Sequence, residues 1–172
     1  DLGVLSRADR VWTSDCNDAL ERQEIQRWTG LLVPPEYLGA HIGPPRAHTT
    51  GRTHDLSFRA GTALFGHVGV EWDVRQASDA ELAELARWIE RAKEVRDLMA
   101  HGRVVRTADR DGTRVHGVVT DDRAVFAIVQ LATSPTYPTG PVTFPGLDPD
   151  ARWSARLDEL TPQIGLPWAE GP

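Results

Sequence analysis

The sequence is nearly without cysteine. Cys16 is the single one in 172 residues, which excludes an internal disulfide framework and any multi-cysteine zinc or iron–sulfur site. One thiol also fits a reducing compartment, so a cytoplasmic location is expected. No apolar run approaches the roughly 18 residues of a membrane helix, and the opening DLGVLSRADR lacks the charged-then-apolar order of a signal peptide. Positive charge is in deficit: 19 Lys plus Arg stand against 25 Asp plus Glu, a formal charge of -6. Such a surface repels phosphate backbones and anionic membranes, so neither nucleic acid nor a membrane is expected as a partner. An initiating Met is missing and cap-like sequence begins almost at once, from which the chain is expected to start inside a larger protein.

What is there alternates at first between strand and helix signals. Arg10 to Ser14 is short and strand-like, and it runs into Asp15-Cys16-Asn17-Asp18, which suits a strand end followed by a helix start. Asp18 and Glu21 have capping-box spacing, and the helix is expected to run through Leu20, Ile25 and Trp28 to a left-handed Gly30. A second strand is expected over Glu36 to Ile42, then a Pro-, Gly- and His-rich loop from Gly43 to Asp55, of a kind that often carries function. Ser57 to Gly66 reads as a short helix and Val68 to Val74 as a third strand. Ser78 and Glu81 then cap a helix from Asp79 to about His101, with Leu82, Leu85, Ile89, Ala92, Leu98 and Met99 on one face and Gly102 as its stop. Strands alternating with helices predict an α/β unit with parallel strands, a barrel or a doubly wound sheet.

After Gly102 the pattern changes. Arg103 to Thr107, Thr113 to Thr120 and Ala124 to Ala132 read as antiparallel strands turning at Asp111-Gly112 and Asp121-Asp122. Two domains are therefore expected, 1–102 and 103–172. The Pro-rich remainder gives only a weak strand signal over Leu157 to Thr161.

Asp15 would lie at the C-terminal end of a parallel strand, where such folds keep their sites, with Trp12 three residues before it. Indole faces bind the apolar side of a pyranose, and a carboxyl shielded beside one can hold a proton for a leaving oxygen. Spacing alone favours a helix cap for Asp15, and more so for Asp18. Cys16 near a helix start reads as a small buried residue more readily than as a nucleophile. His41, His48, His54 and His67 cluster with Asp55, yet their spacing matches no metal motif, so no metal site is expected. His41, at a strand end, is the one placed near a ligand. Glu71 and Asp73 alternate with Val70 and Trp72 and would project together from a strand, either as a catalytic pair or, more in keeping with spacing, as acceptors for Arg52 and Arg59. The tryptophans other than Trp12 are expected mostly in the core.

Several motifs occur together and in order: Trp12-Thr13-Ser14-Asp15, Gly39-Ala40-His41, Thr50-Gly51-Arg52-Thr53, Phe58-Arg59 and Phe65-Gly66. Over roughly residues 1 to 100 the chain resembles the last third of the catalytic domain of glycoside hydrolase family 36 α-galactosidases, the melibiases. The resemblance implies the last third of a (β/α)8 barrel followed by a C-terminal antiparallel β-sandwich-like domain. It also implies retaining hydrolysis of terminal α-linked galactose, from an α-galactoside oligosaccharide such as melibiose or raffinose, with no cofactor. The first Asp of the family's Ser-Asp-x-x-Asp pattern is its general acid/base and maps onto Asp15; Trp12 and His41 are expected to bind substrate. The family's nucleophile is an Asp in a Lys-x-Asp context on an earlier strand, and no such strand precedes Asp15 here. Cys16 stands where Asn or Asp is common, and Ala47-His48-Thr49 where Asn-His-Gln is frequent. The resemblance is compatible with a homo-oligomeric full-length enzyme. The competing expectation is a non-catalytic carbohydrate-binding or interaction fragment built on the β region after Gly102.

Overall fold

The structure is a computed structural model in which residues 2–136 and 140–160 are described. The chain divides into one unit holding residues up to Ala92 together with those from Trp153 onward, and a second unit, Lys93–Arg152.

In the first unit a 3-10 turn, Leu2–Arg7, precedes helix α1, Ala19–Thr29. Strand β1, Gly39–Ile42, helix α2, Leu56–Ala63, and strand β2, His67–Val70, follow. The two strands pair in parallel, with Gly39 beside His67 and His41 beside Gly69. A third parallel segment is reduced to one bridge, Val11 to Leu38, held by Val11 N–H on the Tyr37 carbonyl and Gly39 N–H on the Val11 carbonyl. The strand expected over Arg10 to Ser14 goes no further because the chain turns there: the Trp12 indole folds over Gly39, where a Cβ would stand 3.2 Å from its ring. The expected second strand is likewise shorter, starting at Gly39.

Helix α1 buries Ala19, Arg22 and Gln23 and leaves Trp28 61% exposed, so Trp28 is not the core residue its type suggested. A polar seam explains this inversion. Gln23 donates to the Thr62 hydroxyl and Gln26 to the Thr62 carbonyl, fastening α1 to α2 through amides instead of methyls. Gly30 ends the helix at φ -67, not in the left-handed region expected of it. The apolar core lies between α2 and the strands, from Leu38, Ala40 and Ile42 to Leu56, Ala60 and Ala63.

Strand β2 stops at Val70, four residues before the expected end, after the Glu71 N–H closes a last rung on the Ile42 carbonyl. Asp73 then caps a 3-10 turn, Val74–Gln76. Glu71 and Asp73 therefore do not share a strand face, and neither takes the arginine expected of it: Asp73 binds Arg75, while Arg52 and Arg59 serve Asp18 and backbone carbonyls.

Helix α3, Asp79–His101, matches its predicted span. Ser78 and Glu81 exchange hydrogen bonds in a capping box. It buries Leu85 and Trp88 in the first unit and Val95, Leu98 and Met99 in the second, whereas Leu82 stays 38% exposed. The second unit continues with β3, Arg103–Arg106, β4, Thr113–Val119, and β5, Ala124–Gln130, antiparallel in that order. Asp111 and Gly112 both take positive φ, the geometry that lets a two-residue turn follow the twist of its strands. Leu157–160 forms no strand, and Thr161 lies outside the described residues.

Candidate functional site

The turn between Val11 and α1 carries Asp15, exposed at the C-terminal end of the parallel bridge. Asp15 is not the helix cap. Its Oδ1 accepts the indole N–H of Trp12 at 2.9 Å, while Asp18 caps α1 by accepting the N–H groups of Leu20 and Glu21. Trp12 in turn is held by one aromatic ring and one cation. The His41 imidazole stacks on it with centroids 4.3 Å apart, and the Arg22 guanidinium carbon lies 4.5 Å from its centroid.

Arg22 is 2% exposed and donates Nη1 to the Thr13 hydroxyl. Burial pushes its pKa down, with Cys16 and Glu71 opposing. Among the described residues its Nε and Nη2 meet no hydrogen-bond partner. His41 projects from β1 and places Nδ1 3.0 Å from Glu71 Oε2 at the end of β2. Glu71 is held below the ordinary carboxylate range first by the Asn17 side chain, then, against burial, by His41. Trp12, Asp15, His41 and Glu71 thus meet at one end of the parallel segments.

Asp18 lies beneath this cluster with its side chain fully buried. Thr50, Arg52 and His54 all reach it from the loop after β1: the Thr50 hydroxyl donates to Oδ2, Arg52 Nη1 stands 3.1 Å from Oδ2, and His54 Nε2 stands 3.1 Å from Oδ1. Arg52 also pairs with Glu21 at 2.6 Å. Burial alone would raise the Asp18 pKa, but the bonds from Thr50, the Leu20 and Glu21 amides and His54 outweigh it and lower the net value. Cys16 Sγ lies 3.1 Å from the Thr49 hydroxyl, a further tie between turn and loop. The histidines do not converge: His41 serves Glu71, His54 serves Asp18, and among the described residues no three His, Cys, Asp or Glu side chains gather to hold a metal.

Sequence reasoning brought Trp12, Asp15 and His41 to one place, where the structure also gathers them. It did not find Arg22 or Asn17, and it gave Glu71 another partner. Only the parallel register exposes the last: with His41 beside Gly69, Glu71 follows two residues on. Chemically, an exposed carboxylate beside an indole and an imidazole can exchange a proton with an oxygen while an aromatic face receives an apolar one.

Comparison with known proteins fits this arrangement. The Melibiase family model matches residues 1–102. An α-galactosidase of Escherichia coli is 43% identical over 169 residues, covering 96% of this chain and 24% of that protein. Among solved structures, the galactosidase domain of the α-galactosidase–sucrose kinase AgaSK superposes with a TM-score of 0.82 at 30% identity, over 87% of this chain and 21% of that one. A variant of the family 36 α-galactosidase AgaA of Geobacillus stearothermophilus, in complex with raffinose, gives 0.80 at 28% identity, over 86% and 21%. The chain spans about a quarter of the length of the curated relatives it matches. On the family match across residues 1–102 and these relatives, the chain belongs to the melibiase family.

Proposed function

We propose that the chain is part of a retaining α-galactosidase that removes terminal α-linked galactose from oligosaccharides such as melibiose and raffinose, with Asp15 as general acid/base. The observation that carries this reading is the Asp15 carboxylate, exposed at the end of a parallel segment and oriented by the Trp12 N–H. A relative in complex with raffinose supports the substrate class. In this reading residues 1–102 are the last third of a (β/α)8 barrel and residues 103–172 an antiparallel β-sandwich-like domain. Three parallel segments in chain order, a family match that ends at residue 102, and the antiparallel β3–β5 sheet support that division.

The reaction is a double displacement. A carboxylate from an earlier barrel strand, not carried by this chain, attacks the anomeric carbon while Asp15 gives its proton to the departing oxygen. Asp15 then takes a proton from the water that attacks the glycosyl-enzyme, releasing galactose with its configuration retained. The two carboxyls should stand about 5 to 5.5 Å apart. Trp12 and His41 receive the sugar, and acid, nucleophile and binding contacts suffice without a cofactor. The 172-residue chain alone is expected to be inactive. A cytoplasmic location belongs to the same proposal and rests on the single cysteine; no helix among the described residues is long and apolar enough to cross a membrane.

The test is hydrolysis of aryl α-galactosides by the full-length protein with and without Asp15→Ala. A large loss for a poor leaving group, a small one for a good leaving group, and rescue by azide are expected. Unchanged activity would remove Asp15 from the chemistry, and inversion at the anomeric carbon would remove the double displacement.

A further inference from the structure

His41 is constrained on three sides. Parallel pairing sets it beside Gly69, and a Cβ at position 69 would fall 2.6 Å from His41 Cδ2 and 2.8 Å from Nε2, so the imidazole occupies the space a side chain there would need. Trp12 stacks on the ring. Glu71 Oε2 meets Nδ1 at 3.0 Å, and the same carboxylate accepts from the Asn17 side chain, two residues beyond Asp15. An ionised carboxylate only accepts, so the ring nitrogen facing it carries the proton. In a neutral imidazole held this way the lone pair lies on Nε2.

The geometry points to Glu71 as a positioning residue for the sugar pocket: it fixes His41 as the Nδ1–H tautomer against Trp12 and Gly69, presenting Nε2 to accept a hydrogen bond from a sugar hydroxyl. The identity of the ligand rests on the α-galactosidase reading above; the clamp does not. Glu71 acts on the sugar only through His41. By holding Asn17 as well, it ties the end of β2 to the turn that carries Asp15.

The experiment compares Glu71→Ala, Glu71→Gln, His41→Ala and the double variant H41A/E71A in the full-length protein, with melibiose as substrate. Loss of the clamp in Glu71→Ala should raise KM about three- to tenfold with kcat within about twofold. Gln, whose Oε1 still accepts from Nδ1–H, should hold KM within about twofold of wild type. Adding Glu71→Ala to His41→Ala should change nothing further, because the pair acts as one unit. Additive losses, or a fall in kcat with KM unchanged, overturn the proposal. A second readout needs no activity: modification of His41 by diethyl pyrocarbonate, followed by peptide mass, should quicken severalfold in Glu71→Ala and not in Glu71→Gln. An unchanged rate in Glu71→Ala overturns the clamp. If His41 responds as expected while the wild type hydrolyses no α-galactoside, the α-galactosidase reading falls and the clamp stands.

Discussion

Arg52 Nη1 lies 3.1 Å from Oδ2 of Asp18, across 34 residues of sequence. Thr50 and His54 converge on the same carboxylate, so one buried side chain serves as cap of α1 and anchor of the loop after β1. Such a group is costly to remove, because its partners are left unmet as well as the helix end.

Asp18→Ala is therefore expected to destabilise by about 2–4 kcal/mol, combining a lost cap with partners left unsatisfied. Thermal unfolding of the full-length protein would read this as a lowered midpoint, and hydrogen exchange should rise first in residues 47–54. A loop as protected as in the wild type would contradict the anchor.

Acid should act at the same point. The folded pKa of Asp18 is below its ordinary value, so the unfolded chain binds the extra proton in acid. Its stabilisation is fully present above about pH 4 and is lost as pH falls through the lower folded value. Glu71, lowered in the same direction, adds to the loss. Melting points taken downward from about pH 6 should fall more steeply for the wild type than for Asp18→Asn; parallel curves would discount Asp18.

Trp12→Phe keeps a ring for His41 to stack on and removes the N–H that orients Asp15. One exposed hydrogen bond of about 0.5–1.5 kcal/mol corresponds to a loss of roughly two- to tenfold in kcat/KM. The loss should be greater for a poor leaving group, since only that substrate needs the proton. Equal losses for both would assign Trp12 to binding alone.

Gly66→Ala tests the approach of the turn between α2 and β2 to the chain at Leu38 and Ala40. Its Cβ would stand 2.7 Å from the Leu38 carbonyl oxygen and 2.8 Å from the Ala40 Cβ, and a strand backbone gives way poorly. A loss of about 1–3 kcal/mol is expected, measured as a shift in denaturant midpoint at unchanged slope.

Local signals were legible in the sequence. The Ser78 to Glu81 box and the span of α3 needed only residues within a turn of each other, and the Asp111-Gly112 turn needed only two. Asp18 was readable as a cap for the same reason, but its loop partners, 32 to 36 residues away, were not. Trp28 was misplaced because residue type alone suggested burial, whereas α1 turns Arg22 and Gln23 inward to meet Thr13 and Thr62. Glu71 and Asp73 were misread because an alternating pattern does not mark where a strand ends: β2 stops at Val70, and Asp73 caps the 3-10 turn that follows. The grouping of Trp12, Asp15 and His41 was legible through motifs; the Asn17 and Glu71 side chains that brace it depend on register, which no single segment encodes.

The Asp18 anchor also fixes an order of events. The loop's three hydrogen-bonding residues point at a carboxylate that another element presents, and only after the first turn of α1 has formed does Asp18 face them with its capping bonds already made. Closing a segment of that length costs chain entropy before any of these bonds can form. Residues 43–55 should therefore acquire exchange protection after α1 does, and pulse labelling that found the loop protected before the helix would contradict this order.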